Sequence, residues 1–168
     1  MKNEIEVRLA TIEEVEDWWN KKISKSPKDM AYKKWKENFV EGNKNGLRKT
    51  FFAFENGKYI GQGTLLLESD DKVLTGKGKA EIIKLELLPK YRGKGIATKI
   101  YQKIESFAKK QKIKMLTIGV EPCEVRNMQI YFHWGFTQFL QCISETYPPK
   151  AEGEKGETIT VLCYGKKI

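Results

Sequence analysis

Histidine and cysteine are scarce in this chain, at one and three residues in 168. A catalytic cysteine would have to draw its base from His133, whose neighbours form a helical pattern, so His133 reads as a core or surface residue. Cys123, Cys142 and Cys163 are odd in number, widely spaced and free of any C-x-x-C pair. They form no complete disulfide framework and read as reduced, partly buried thiols. No metal is expected. No run of 18 or more apolar residues is present, so no membrane-spanning helix is expected. Met1-Lys2-Asn3-Glu4 leads directly into an alternating pattern without an apolar leader core, which makes the cytoplasm the default expectation. No repeat and no Gly/Ser linker divides the chain, so residues 1–168 are expected to form a single domain. Neither the Walker loop G-x-x-x-x-G-K-[ST] nor the dinucleotide fingerprint G-x-G-x-x-G occurs.

Apolar residues make up 40% of the chain and charged residues 32%, which argues against disorder. The net charge of +9 favours anionic ligands in general. The lysines are scattered and often alternate with glutamates, the pattern of solvated faces. Charge and aromatic content keep nucleic acid open as a competing partner. No RRM, KH or helix-turn-helix signature supports it, so it is not the expected one.

The periodicity predicts the order β-α-α-β-β-β-α-β-α-β-β, a mixed α/β layout. Residues 4–10 alternate as a strand. Thr11-Ile12-Glu13-Glu14 reads as a capping box opening a helix with Ile12, Val15, Trp18 and Trp19 on one stripe. A second helix is expected from about Asp29 to Val40, then a loop from Gly42 to Gly46. Strands at about 50–55 and 58–67 flank Asn56-Gly57, a strong hairpin signal. Residues 68–79 form a polar connection and 80–88 a buried strand. The clearest helix covers 96–111. Met115–Val120 is a strand, and Glu124–Trp134 a short helix ended by Gly135. Two final strands, 136–143 and 158–164, are joined by a Pro-, Gly- and Glu-rich loop.

The informative segment is Leu85-Glu86-Leu87-Leu88-Pro89-Lys90-Tyr91-Arg92-Gly93-Lys94-Gly95-Ile96-Ala97. A strand runs through a basic, glycine-bearing turn straight into the long helix. The first amides of a helix lack intrahelical acceptors, and the helix dipole adds positive charge at the same place. Gly93 and Gly95 allow close approach to the backbone, and Arg92 and Lys94 add full charges. In physical terms this is a phosphate-binding device.

Arg92-Gly93-Lys94-Gly95-Ile96-Ala97 resembles the R/Q-x-x-G-x-G/A motif of the GNAT N-acetyltransferases. Leu87-Leu88-Pro89-Lys90-Tyr91 is similar to the V-x-P-x-Y that precedes it, and Ile130-Tyr131-Phe132-His133-Trp134-Gly135-Phe136 to the family's L-Y-x-x-x-G-F. The order of elements agrees along nearly the whole chain. The resemblance implies a GNAT acyl-CoA N-acyltransferase fold, with a mixed, mostly antiparallel sheet of about seven strands flanked by about four helices. It also implies acetyl-CoA as co-substrate and a small-molecule or peptide amine as acceptor. Dimers are common in the family, so a homodimer is an open assembly. No membrane partner is implied.

Carried over residue by residue, Leu85 and Leu87 would offer main-chain contacts to the pantetheine arm. Arg92, Gly93, Lys94, Gly95, Ile96, Ala97 and Thr98 would hold the phosphates. Tyr131 falls where the family often places a general acid for the leaving thiolate; its plain alternative is a packed helix tyrosine. Glu124 stands where an asparagine is common, and Asn127 where alanine is usual. Some members carry a catalytic glutamate six residues before the position of Leu87, which makes Glu81 the candidate base. Strict alternation would put Glu81 on the face of Leu87, with Glu86 opposite. A structural carboxylate is the alternative for Glu81. Without a convincing Ser or Cys nucleophile, direct attack of the amine is the expected mechanism. An inactive CoA-binding or regulatory module of the same fold is the competing reading. Trp18, Trp19, Tyr32 and Trp35 are candidates either for the acceptor site or for helix packing. Glu152-Gly153-Glu154 is a candidate contact for a cationic amine or a solvated loop.

Overall fold

The structure, a computed structural model, describes residues 4–168; the reading of Met1–Asn3 lies outside the described residues. Seven strands form one sheet: β1 (Ile5–Leu9), β2 (Arg48–Glu55), β3 (Lys58–Leu66), β4 (Lys79–Leu87), β5 (Met115–Val120), β6 (Gln138–Thr146) and β7 (Thr158–Lys167). Their spatial order is β1-β2-β3-β4-β5-β7-β6. Among the described residues only β4 and β5 pair in parallel. Parallel neighbours need a crossover, and α3 (Ile96–Lys110) supplies it. The other helices are α1 (Ile12–Lys25), α2 (Met30–Lys44) and α4 (Val125–His133). A mixed sheet of seven strands with four helices is the GNAT arrangement that the resemblance implied.

Alternation sorts the core onto two faces. Phe51 and Ala53 of β2 join Ile82 of β4 and the α3 residues Ile96, Ile100, Ile104 and Ala108. Phe52 and Phe54 point the other way, into a cluster with Val15 and Trp19 of α1 and Phe39 and Val40 of α2. Burial of one stripe per helix holds these layers together.

Local signals set the helix ends. Thr11 accepts the Glu14 amide at 3.2 Å while Glu14 accepts the Thr11 amide at 2.9 Å, completing the capping box. Asp29 caps α2 by accepting from the amides of Ala31 and Tyr32. The second helix runs past its expected end: α2 continues to Lys44, through Gly42. Gly42 is buried within the helix because a Cβ there would lie 2.6 Å from Cδ of Arg48. This glycine makes room for a side chain rather than starting a loop. The last two strands are also shifted from the expected 136–143 and 158–164, to Gln138–Thr146 and Thr158–Lys167.

Candidate active site

The turn between β4 and α3 has the conformation that the sequence suggested. Gly93 and Gly95 both have φ +74°, in the left-handed region that disfavours other residues. A Cβ on either would meet nothing within 4 Å, so the backbone lies open. Gly95 is the N-cap of α3 and provides no side-chain cap. The first-turn amides of Ile96, Ala97 and Thr98 therefore remain available, beside the exposed side chains of Arg92 and Lys94. Arg92 Nε donates to the Leu87 carbonyl at 3.3 Å and ties the turn to the end of β4. Tyr91 is buried beneath, donates to Glu55 at 2.8 Å, and carries Lys90 and Lys94 over its ring.

β4 and β5 pair only at Lys79–Met115, Ala80–Leu116 and Glu81–Thr117. Beyond Glu81 they part, opening a gap along β4. The Leu88 amide donates to the Ile60 carbonyl on β3 at 2.9 Å. Antiparallel alternation then turns the backbone groups of Leu85 and Leu87 away from β3, toward the gap. The turn, the uncapped helix and the parted strands are together suited to a ligand with an anionic pyrophosphate and an extended amide-bearing arm.

Glu81 requires a correction. Gly61 opposes Leu87 and Gln62 opposes Glu86, but Thr64 opposes Ile83 and Leu66 opposes Glu81. β4 thus has one extra residue opposite Gly63, a bulge at which Lys84 adopts φ +53°. The bulge reverses the alternation. Glu81 shares its face with Ile83 and Glu86, the α1–α2 side, whereas Leu87 packs on the α3 side. Glu86 is nevertheless engaged elsewhere, accepting from Gln62 at 3.0 Å and lying 3.8 Å from Lys84.

Glu81 lines an open cavity of about 900 Å³ bounded by α2, β4, β5, α4 and the β6–β7 connection. It is 9% exposed, and among the described residues its carboxyl has no hydrogen-bond or ion-pair partner. Burial, reinforced by Glu145 and Asp71 and opposed by Arg48, raises its pKa to about 8. Tyr131 of α4 lines the same cavity, and burial with nearby Glu124 and Glu81 pushes its phenol up to about 12. Its ring also packs near Trp134 and Phe136, so the packing role is met as well.

Glu124 occupies the N-cap position of α4 without capping it. Its carboxylate accepts instead from the Glu121 amide at 3.1 Å and from Asn127 at 2.8 Å. Trp19 and Trp35 line the cavity, while Trp18 and Tyr32 pack around Trp19. Lys84, at the bulge, places Nζ 5.6–5.9 Å from the rings of Trp18, Trp19 and Trp35. Burial lowers its pKa. Glu152 and Glu154 are exposed and do not line the cavity. Sequence reasoning passed over Arg48, Glu145 and Tyr147, which reach this wall only through long-range folding. His133, Cys123 and Cys142 are exposed and Cys163 is buried. No cluster suited to a metal occurs, and no helix is long and apolar enough to cross a membrane, among the described residues.

No protein of curated function matches the chain. Solved structures share its fold. One is IAA acetyltransferase from Bacillus cereus, at TM-score 0.68 and 16% identity over 98% of this chain and 100% of that one. Another is ribosomal-protein-alanine N-acetyltransferase from Brucella melitensis, at TM-score 0.67 and 14% identity over 97% and 99%. PaiA N-acetyltransferase from Thermoplasma acidophilum, solved in complex with coenzyme A, gives TM-score 0.62 and 20% identity over 98% and 99%. The sequence model of the acetyltransferase (GNAT) family matches residues 12–136, which span the turn, the gap, Glu81 and Tyr131, and the chain accordingly belongs to that family.

Proposed function

We propose that residues 1–168 act as one cytoplasmic N-acetyltransferase domain that passes the acetyl group of acetyl-CoA directly to a primary amine. The observation that carries this reading is the unpartnered Glu81 carboxyl in the cavity reached by Tyr131, at the point where β4 and β5 part. The cavity is lined by Trp19 and Phe39 of the α1–α2 side together with Leu85 and Tyr131, which pack on the α3 side, so it opens through the gap at which acceptor and thioester would meet.

Acetyl-CoA supplies the thioester when bound. The amides of Gly93 to Thr98, with the Arg92 and Lys94 side chains, hold its phosphates; the Arg92 amide itself is taken up by the Pro89 carbonyl. The outward backbone of Leu85 and Leu87 binds the arm, and an amide of β4 stabilises charge developing on the carbonyl oxygen. Glu81 takes a proton from the acceptor ammonium, directly or through water, and so frees the nitrogen lone pair. Tyr131 gives its proton to the sulfur as the C–S bond breaks, and the second proton, lost from the nitrogen as the amide forms, returns through cavity water to the phenolate. A phenol with pKa about 12 stays protonated at neutral pH and is suited to that donation. Holding both reactants in one cavity provides the proximity term.

The test is thiol release from acetyl-CoA across a panel of amines, with N-acetylated product identified by mass spectrometry. Amine-dependent release with matching product is expected. Release without product, or CoA binding with no release for any amine, contradicts the reading.

A further inference from the structure

Arg48 is a charged group in the cavity wall that the proposed transfer leaves unused. It begins β2, and its register partner is Leu66 of β3, whose own partner on β4 is Glu81. Arg48 and Glu81 therefore stand in one row on one face of the sheet, on either side of Leu66. Two strand spacings separate their backbones by about 10 Å.

The arginine is held by its stem. Gly42 leaves the space that its Cγ and Cδ fill, and its guanidinium lies 4.4 Å from the centre of the Phe39 ring. Among the described residues the fork has no hydrogen bond or ion pair. Among the described residues no side-chain nitrogen or oxygen sealed from solvent lacks a partner, so the free donors of Arg48 and the free oxygens of Glu81 both open into the cavity. A fixed guanidinium with unused donors is preorganised for a planar oxyanion.

Resting on the acetyl-transfer reading, we propose that the acceptor is an amino-acid-like zwitterion whose carboxylate is bound by Arg48 while its amine faces Glu81. Trp19, Trp35 and Tyr147 offer an aromatic wall to its side chain; Trp35 and Tyr147 meet edge to face at 6.0 Å. A carboxylate suits the site better than a phosphate because Asp71, Glu121, Glu124 and Glu145 also line the cavity and repel a dianion. A polyamine is the competing occupant, since these same carboxylates are acidic. Asp71 is already occupied by the amides of Val73 and Leu74, however, and Glu124 by Glu121 and Asn127. Of the other cavity cations, Lys84 sits among indoles beside Glu86, and Lys34 is at the exposed rim.

The test compares amino acids with their decarboxylated amines, phenylalanine against phenethylamine among them, by thiol release and product mass. The wild type is expected to favour the carboxylated member of at least one pair in kcat/KM. Arg48→Met should reduce that ratio on the order of 10²-fold, mainly through KM, with Arg48→Lys intermediate. A second arm needs neither turnover nor a variant: calorimetry with CoA present should show the N-acetylated amino acid binding at least tenfold tighter than the N-acetylated amine. If no amine releases thiol, the transfer reading falls, while this binding arm still decides the role of Arg48. Equal binding of the two products, a ratio unchanged in Arg48→Met, or putrescine outperforming every amino acid overturns the inference.

Discussion

Glu81→Gln keeps the shape of the side chain and removes its ionisation, so its effects on stability and rate can be worked from one property. The carboxyl is raised from 4.5 to about 8, chiefly by burial. A group with a raised folded pKa binds its proton more tightly in the folded state. Its favourable contribution is complete below the unfolded pKa and is lost as pH rises through 8. At about 1.4 kcal/mol per pH unit the ceiling is about 5 kcal/mol, which water in the open cavity reduces to about 1–3 kcal/mol. Urea unfolding at pH 5, 7 and 9 should therefore show Glu81→Gln gaining stability relative to wild type as pH rises.

The kinetic signature is separate. Below about pH 8 the kcat/KM of wild type and variant should rise in parallel, with the variant lower by roughly 10²-fold. Above pH 8 the wild type should level off, because its base is fully ionised. The variant should keep rising with the free amine until the amine's own pKa, so the deficit closes. The reasoning is refuted if the wild type shows no break near pH 8, if the variant keeps that break, or if the variant loses relative stability with rising pH.

Gly95→Val should weaken CoA binding tenfold or more by calorimetry while costing about 1–2 kcal/mol for a left-handed non-glycine residue. Gly57→Val is the matched control, because Gly57 also has positive φ (75°) and open space around a Cβ, yet lies in the β2–β3 hairpin. It should lose similar stability and keep CoA affinity; equal CoA loss in both variants would remove the turn from the site. Tyr131→Phe should bind CoA normally and lose about 10²-fold in kcat. Wild-type turnover across the pH range would leave Tyr131 a packing residue.

The parts of the fold visible in the sequence are those governed by short-range rules. The Thr11–Glu14 capping box, the Asn56-Gly57 hairpin and the two-glycine turn each depend on residues a few positions apart. The candidate site was legible where it is continuous in sequence, from Leu85 to Thr98. The side of β4 that carries Glu81 was not. Alternation fails there because Lys84, with neither glycine nor proline to mark it, takes a left-handed conformation and inserts a bulge. Gly42 misled for a related reason: glycine signals flexibility locally, whereas here it yields volume to Arg48 across a tertiary contact. Arg48 and Glu145 reach the cavity that holds Glu81 only through strand order and register, for which no local pattern exists.

The most direct measurement is a crystal structure of the protein with CoA bound. The account predicts the pyrophosphate on the amides between Arg92 and Thr98, the arm along Leu85 and Leu87 in the gap between β4 and β5, and the sulfur within hydrogen-bond reach of the Tyr131 hydroxyl at the cavity holding Glu81. CoA bound elsewhere, or with its sulfur turned away from that cavity, would contradict it.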